Sequence, residues 1–257
     1  MRYDRTPRRS HWVRVLLVHS LFDVLALIAA LAVFRLVPVA APGVPNEPWR
    51  IHPLYIAAAS LGATAGAYLV GTANLWLTGI DGFGRSIEGA IGGAIVAIEW
   101  LKWRTGVAGS TGLRFVAPLA AAIAVGRLGC FFAGLDDMTY GTPTQVPWSV
   151  DFGDGVPRHP VQLYEAATMA IFFIVFVPLL RQGGESLRRT GFYVFVAVYA
   201  VQRFIWEFFK PYATLIGPLN LFHLLSLALV AYALVFARRE LRQPCRYRQP
   251  LSTRPTR

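Results

Sequence analysis

Charge is scarce in this chain. Only 15% of its 257 residues are charged, against 55% hydrophobic, and the mean hydropathy is +0.46. That balance excludes intrinsic disorder and fits a water-soluble domain poorly. Acidic residues are the scarcer sign: 14 Asp and Glu stand against 25 Lys and Arg, a net charge of +11 carried almost wholly by arginine. Nucleic-acid binding asks for a basic folded face with base-stacking aromatics. Here the basic residues sit at chain ends and loop ends, so no nucleic-acid partner is expected. Cysteine is nearly missing too: Cys130 lies inside an apolar run and Cys245 in a basic C-terminal stretch, which rules out a disulfide framework. His11, His19, His52, His159 and His223 are scattered without zinc-ligand spacing, and no metal is expected. There is no P-loop, no G-x-S-x-G and no dinucleotide fingerprint.

Long apolar runs, by contrast, are plentiful. A helix needs roughly 20 mostly apolar residues to cross the hydrocarbon, and about seven segments qualify: 13–37, 54–78, 86–103, 115–133, 160–180, 191–209 and 219–237. The expected fold is all-α, a polytopic integral membrane protein with about seven transmembrane helices. Residues 1–240 read as a single transmembrane domain and 241–257 as a basic cytoplasmic tail. Gly62-x-x-x-Gly66 in the second span and Gly89-x-x-x-Gly93 in the third permit close helix contact. For the first run a signal peptide is the competing reading, because small residues at Val37–Pro42 resemble a cleavage region. Its length, and the presence of His19, Asp23 and Arg35, favour a span.

Arginine and lysine near helix ends set orientation. Arg238, Arg239, Arg242, Arg246 and Arg248 follow the last span and put the C-terminus in the cytoplasm. Lys102, Arg104 and Arg114, then Arg181, Arg188 and Arg189, agree with that assignment. Arg2, Arg5, Arg8, Arg9 and Arg14 at the N-terminus run against it. Under this topology the connections 2–3, 4–5 and 6–7 open on the outer side. They hold Arg85, Glu88, Arg127, Asp136, Asp137, Asp151, Asp154, Arg158, His159, Glu165, Arg203, Glu207 and Lys210. The uncommon polar groups thus converge on one leaflet.

Two of these residues stand out. Arg127 and Arg203 each lie within an otherwise lipid-spanning run, where an arginine costs about 2.5–3.5 kcal/mol even on the mildest insertion scale. Such a group needs a partner, water or an anionic ligand, and its rigid fork matches phosphate. Arg127 falls about five residues, roughly 8 Å of helix rise, from the outer end of its span, between Gly126 and Gly129. A structural ion pair or a snorkelling side chain is the alternative reading. Arg203, Glu207 and Lys210 follow i, i+4, i+7 spacing and share a helix face, so Glu207 either neutralises Arg203 or orients it. Pro157–Glu165 concentrates hydrogen-bonding groups where the fifth span begins, with Gln162 and Glu165 one turn apart and His159 and Tyr164 beside them. Glu88, early in the third span, is placed to act as a base, to pair with Arg85 or Arg127, or to remain solvated. Asp23 and His19 in the first span are expected to be satisfied by neighbouring helices.

Taken together these stretches resemble the phosphatidylglycerol–prolipoprotein diacylglyceryl transferases of bacterial inner membranes. Gly126–Phe131 looks like the start of that family's signature and Thr142–Trp148 like the loop after it. Pro157–Glu165 is similar to its Pro-Arg-His-Pro-Ser-Gln-Leu-Tyr-Glu motif, with Val161 in place of Ser, and Arg203–Lys210 to its Arg-x-x-x-Glu-Phe-Phe-Arg motif. The family moves a diacylglyceryl group from phosphatidylglycerol to the thiol of a lipobox cysteine and releases glycerol phosphate. The resemblance implies that Arg127 and Arg203 hold the lipid phosphate and stabilise the departing group. Glu88 and His159 join them as catalytic candidates. Gln162, Tyr164, Glu165, Glu207 and Arg85 are head-group candidates. The implied partners are phosphatidylglycerol, a prolipoprotein and membrane lipid, at an inner membrane with the site towards the periplasm, and no cofactor.

The chain also departs from the pattern. Glu88-Gly89-Ala90 stands where the family has His-Gly-Gly, Cys130 where it has asparagine, His19 where a tyrosine aligns and His223 where a glutamine does. If the family histidine removes a proton, either Glu88 replaces it or the mechanism differs. Two alternatives accompany the transferase reading. One is a phospholipid head-group transferase with a different acceptor. The other is a non-catalytic lipid-binding or transport protein on the same scaffold, although a transporter should carry inverted repeats and no internal duplication is present.

Overall fold

The computed structural model describes residues 9–37 and 53–242, with side chains from residue 17 onward. Its architecture is all-α. Among the described residues seven long helices run in chain order: α1 (Arg9–Leu36), α2 (Pro53–Leu77), α3 (Ile87–Thr105), α4 (Leu113–Ala133), α5 (Val161–Arg181), α6 (Glu185–Glu207) and α7 (Leu221–Arg242). A 3-10 turn at Gly134–Asp137 follows α4. A small antiparallel ribbon, β1 (Val150–Asp151) with β2 (Pro157–Arg158), precedes α5.

Five of the seven helices are long and apolar enough to span a membrane: α2, α5 and α7 over their whole lengths, Leu17–Leu36 within α1, and Leu113–Asp137, which is α4 with the turn behind it. The chain is a multi-pass membrane protein. α3 and α6 fall short because they carry Glu88, Glu99, Lys102 and Arg104, and Glu185, Arg188, Arg189, Arg203 and Glu207. Both are nonetheless packed among the others. The helix ends differ from the apolar runs in two places. α6 begins at Glu185 rather than at residue 191, and α7 continues to Arg242 rather than stopping at 237. Helical hydrogen bonding does not stop where hydrocarbon stops, and Glu and Arg are good helix formers. Arg2, Arg5 and Arg8, Val37–Pro42 beyond its first residue, and the tail after Arg242 lie outside the described residues.

Local chemistry fixes the ends that matter. Ser86 caps α3 with its Oγ accepting from Gly89 N–H at 3.0 Å, which satisfies one of the orphan amides of the first turn. Gly106 closes the same helix in the left-handed region at φ 70°, where a Cβ would be unfavourable. α2 and α3 pack through facing glycines. A Cβ on Gly66 would sit 2.1 Å from the Gly89 carbonyl oxygen, and one on Gly93 2.1 Å from that of Gly62. The two small-residue pairs therefore form the α2–α3 contact.

The core lies among α4, α5 and α6, where Val116, Met169, Phe195 and Val196 are fully buried. α7 covers α6, α3 lies against α2 and α7, and α1 lies along α4. Large apolar side chains face outward: Leu69, Val96 and Ile174 are 72%, 70% and 66% exposed. Such a surface suits lipid and not water. An open apolar groove of about 430 Å³ follows α5 and α6 past Thr168, Val198, Val201 and Trp206.

Alternating helix direction brings the starts of α3, α5 and α7 and the ends of α4 and α6 to one end of the bundle. The ribbon loop closes over that end. Thr142 N–H donates to the Phe209 carbonyl at 2.6 Å, and Gly141 N–H to that of His159 at 3.1 Å. Arg158 forks onto Asp154, with both oxygens at 2.7 Å.

Candidate active site

At that end six charged side chains meet in the protein interior. Glu88 comes from the first turn of α3, Arg127 from the last turns of α4 and Glu165 from the start of α5. Arg203 and Glu207 come from the end of α6, and Lys210 from just beyond it. None is more than 5% exposed. Buried ions cost several kcal/mol each unless they are paired and hydrogen-bonded, so three carboxylates gathering three cations is the arrangement that makes burial tolerable.

Glu165 is the hub. Its Oε2 lies 2.8 Å from Arg127 Nε, and its Oε1 accepts from Lys210 Nζ at 2.8 Å and from Arg203 Nη1. Arg203 in turn reaches all three carboxylates. Its Nη2 is 2.9 Å from Glu207 Oε2 and its Nε is 3.4 Å from Glu88 Oε2. Phe222 stacks on the guanidinium, 4.8 Å from Cζ to ring centroid, a cation–π contact. Ser226 Oγ donates to Glu88 Oε1 at 2.5 Å, and Asn220 Nδ2 to Glu207 Oε1 at 3.1 Å. Asn220 is itself tied to His223 through its backbone N–H and side-chain oxygen.

Gln162, one turn before Glu165 on α5, is completely buried, yet neither its amide nitrogen nor its oxygen has a hydrogen-bond partner in the protein. The Tyr199 hydroxyl, one turn before Arg203 on α6, is in the same condition. Such groups cost about 1–3 kcal/mol apiece when left unsatisfied, and they supply both donors and acceptors beside the charges.

Of the residues singled out in the sequence, Arg127, Arg203, Glu88, Glu165, Glu207 and Gln162 lie in this buried region. His159 and Tyr164 form a separate group under the loop. His159 Nδ1 is 3.3 Å from the Tyr164 hydroxyl, which accepts from Trp148 Nε1 at 2.7 Å, while the His159 ring rests on Phe209. Arg85 stands apart, 57% exposed and 3.4 Å from Asp23. Glu88 therefore pairs with neither Arg85 nor Arg127, because the turn of α3 that carries it faces α6 and α7. His19 and Asp23 find partners in connections and not on the neighbouring helices expected: Asp137 of the 3-10 turn for the first and Arg85 of the α2–α3 connection for the second. Lys210, Asn220, Tyr199 and Ser226 join the site without having been assigned to it. Lys210 shares the i, i+7 face with Arg203. His223 and Ser226, three residues apart in an apolar run, are the signal that the last helix carried.

A family model described as prolipoprotein diacylglyceryl transferase matches residues 17–238. The chain belongs to that family. Among curated diacylglyceryl transferases it is 33% identical over 162 residues to the phosphatidylglycerol–prolipoprotein diacylglyceryl transferase of Geobacter sulfurreducens, covering 60% of each chain. It is 34% identical over 133 residues to the protein of that name from Glaesserella parasuis, covering 50% of this chain and 48% of the relative. It is 35% identical over 142 residues to the one from Bordetella parapertussis, with 53% and 52% covered. The match thus spans between about half and three-fifths of the length of these diacylglyceryl transferases.

Proposed function

We propose that this protein transfers a diacylglyceryl group from phosphatidylglycerol to the cysteine thiol of a prolipoprotein lipobox. The observation that carries the reading is the convergence of Arg127 and Arg203 on one buried carboxylate, that of Glu165. Two guanidinium forks already hold one small anionic group between them, as they would hold a phosphate. Family membership and the names of the relatives supply the reaction.

In this reading the phosphate of phosphatidylglycerol binds to Arg127 and Arg203, with Glu165 yielding part of their hydrogen bonding. Glu207 and Lys210 keep Arg203 oriented, and Glu88 balances its charge from behind. Gln162, Tyr199 and Tyr164 offer donors and acceptors to the glycerol head group, and His159 and Arg85 stand at the approach. The thiolate attacks the carbon of the diacylglycerol moiety that bears the phosphate, not that of the head-group glycerol. A C–S bond forms, the C–O bond breaks, and glycerol phosphate leaves as an anion stabilised by the arginines. Donors fixed in advance at developing charge are often the largest catalytic term.

The site then faces the periplasm, with the C-terminus in the cytoplasm of a bacterial inner membrane. Residues 1–240 form the membrane domain and 241–257 a basic tail. Support comes from Lys102, Arg104, Arg188, Arg189, Arg239 and Arg242, which lie at the opposite end of their helices from the charged cluster. That end is the one drawn to anionic inner-leaflet lipid. The test is incubation of the purified protein with phosphatidylglycerol vesicles and a lipobox peptide, read by mass spectrometry for the diacylglyceryl thioether. Adduct with the wild type, and none with Arg127→Ala or Arg203→Ala, supports the reading. Absence of adduct from the wild type rejects it.

A further inference from the structure

The transfer proposed above needs a group that takes the proton of the acceptor thiol, since the thiolate is the nucleophile. The three clustered carboxylates are poorly placed for that. Glu88, Glu165 and Glu207 are each 1% exposed, and each is engaged by buried partners at both oxygens.

A different pair stands at the rim. His19 on α1 directs Nε2 at Asp137 Oδ1, 3.1 Å away, and the two side chains are 19% and 11% exposed. Thr139 Oγ1 donates to the other oxygen of Asp137. Asp137 also lies against Cys130, whose Sγ is 4.0 Å from Arg127 Nη1. His19 is therefore linked to a proposed phosphate-binding arginine through two intervening side chains. The carboxylate on Nε2 fixes the tautomer and leaves Nδ1 as the proton acceptor, the arrangement in which a base is oriented by a third group. Besides Asp137 from the 3-10 turn, the charged groups facing the ring are Asp23 from α1 itself and Arg85 from the α2–α3 connection. The position of the pair has a topological cause: α1 lies along α4, and Gly129 lets the Phe22 ring close onto α4 one turn beyond His19.

We propose that His19, oriented by Asp137, is the general base for the acceptor thiol. This rests on the transferase reading and names the proton acceptor that the reading leaves open. The thiol S–H proton passes to His19 Nδ1. The thiolate then forms the C–S bond as the C–O bond breaks, with its electron pair departing on glycerol phosphate between Arg127 and Arg203. The imidazolium afterwards returns its proton to water.

The experiment uses the full chain in phosphatidylglycerol vesicles with the lipobox peptide, comparing wild type, His19→Gln and Asp137→Asn between about pH 6 and 9, the range that brackets the ordinary imidazole and thiol values. His19→Gln is expected to lower kcat about 10²–10⁴-fold while KM for phosphatidylglycerol and thermal unfolding in detergent stay as in the wild type. Its residual rate should climb with pH through the thiol range, near 8.5, where the wild-type profile is already flat, and added imidazole should restore part of it. Asp137→Asn should lose less rate while shifting the acid limb of the profile. This second variant keeps the question answerable if His19→Gln unfolds. Thioether formation by His19→Gln at the wild-type rate, with an unchanged pH profile, overturns the assignment and leaves the transferase reading standing. A wild type that forms no thioether removes both.

Discussion

Glu165 Oε2 lies 2.8 Å from Arg127 Nε, while the other oxygen of the same carboxylate is shared by Arg203 and Lys210. Three cations from two helix ends and a loop are thus held by one anion that is 1% exposed. In a low-dielectric interior the four groups are one electrostatic unit, and no member can be removed without exposing the others to uncompensated charge. Glu165→Gln should destabilise the fold by about 3–5 kcal/mol, the typical cost of breaking a buried pair. Denaturant or thermal unfolding in detergent checks this, and a loss below about 1 kcal/mol, the scale of an exposed pair, contradicts the description.

Fork geometry, and not charge alone, distinguishes arginine from lysine at these positions. Arg203 uses three separate nitrogens on three carboxylates, which the single nitrogen of an ammonium group does not reproduce. Arg203→Lys and Arg127→Lys should each keep the protein folded and lower transfer by about 10²–10³-fold, the usual loss for one preorganised donor. Alanine should lower it further. Rates with saturating phosphatidylglycerol, read by thioether mass spectrometry, decide the matter.

The α2–α3 contact tests the glycine reading. Gly66→Ala places a methyl 2.1 Å from the Gly89 carbonyl oxygen and 2.9 Å from Gly93 Cα, so the helices must separate, at a cost of about 1–3 kcal/mol for overpacking. Gly126→Ala, where the added carbon meets no atom within 4 Å, should leave thermal unfolding within about 0.5 kcal/mol of wild type. Equal effects of the two substitutions would contradict the packing described.

The ribbon loop carries a pH dependence of its own. Arg158 beside Asp154 holds that carboxyl below its ordinary value. A folded-state pKa below the unfolded one means that the pair stabilises the loop above the unfolded value, near 3.9, and loses that contribution as pH falls through the folded value. Amide exchange across residues 150–158 should therefore be steady from neutrality to about pH 5 and accelerate relative to its intrinsic rate below about pH 4. Asp154→Asn should remove that extra acid-side step.

Much of the architecture is legible without coordinates, because hydrocarbon imposes a strong rule: a run of about 20 apolar residues must be helical to satisfy its backbone. The seven helices correspond to the seven apolar runs within a few residues at most ends. The exceptions are the polar first turns of α6 and last turns of α7, where helix propensity outlasts the membrane. The small-residue pairs likewise met each other, since only glycine admits that approach. Within the site, Arg203 and Glu207 were linked by i, i+4 spacing, and Gln162 and Glu165 by one helical turn.

What one dimension cannot carry is which helices become neighbours. Charge scarcity, helix lengths, one-face groupings and the clustering of polar groups at one end follow from the order of residues alone. Glu88 facing Arg203, Glu165 becoming a hub for three cations, and His19 meeting Asp137 follow only from the packing of α3, α6 and α7 on one side and of α1 on α4 on the other. The physical reason is that a buried charge accepts whichever opposite charge its helix face is turned towards, and that direction is set by the apolar packing of the rest of the bundle.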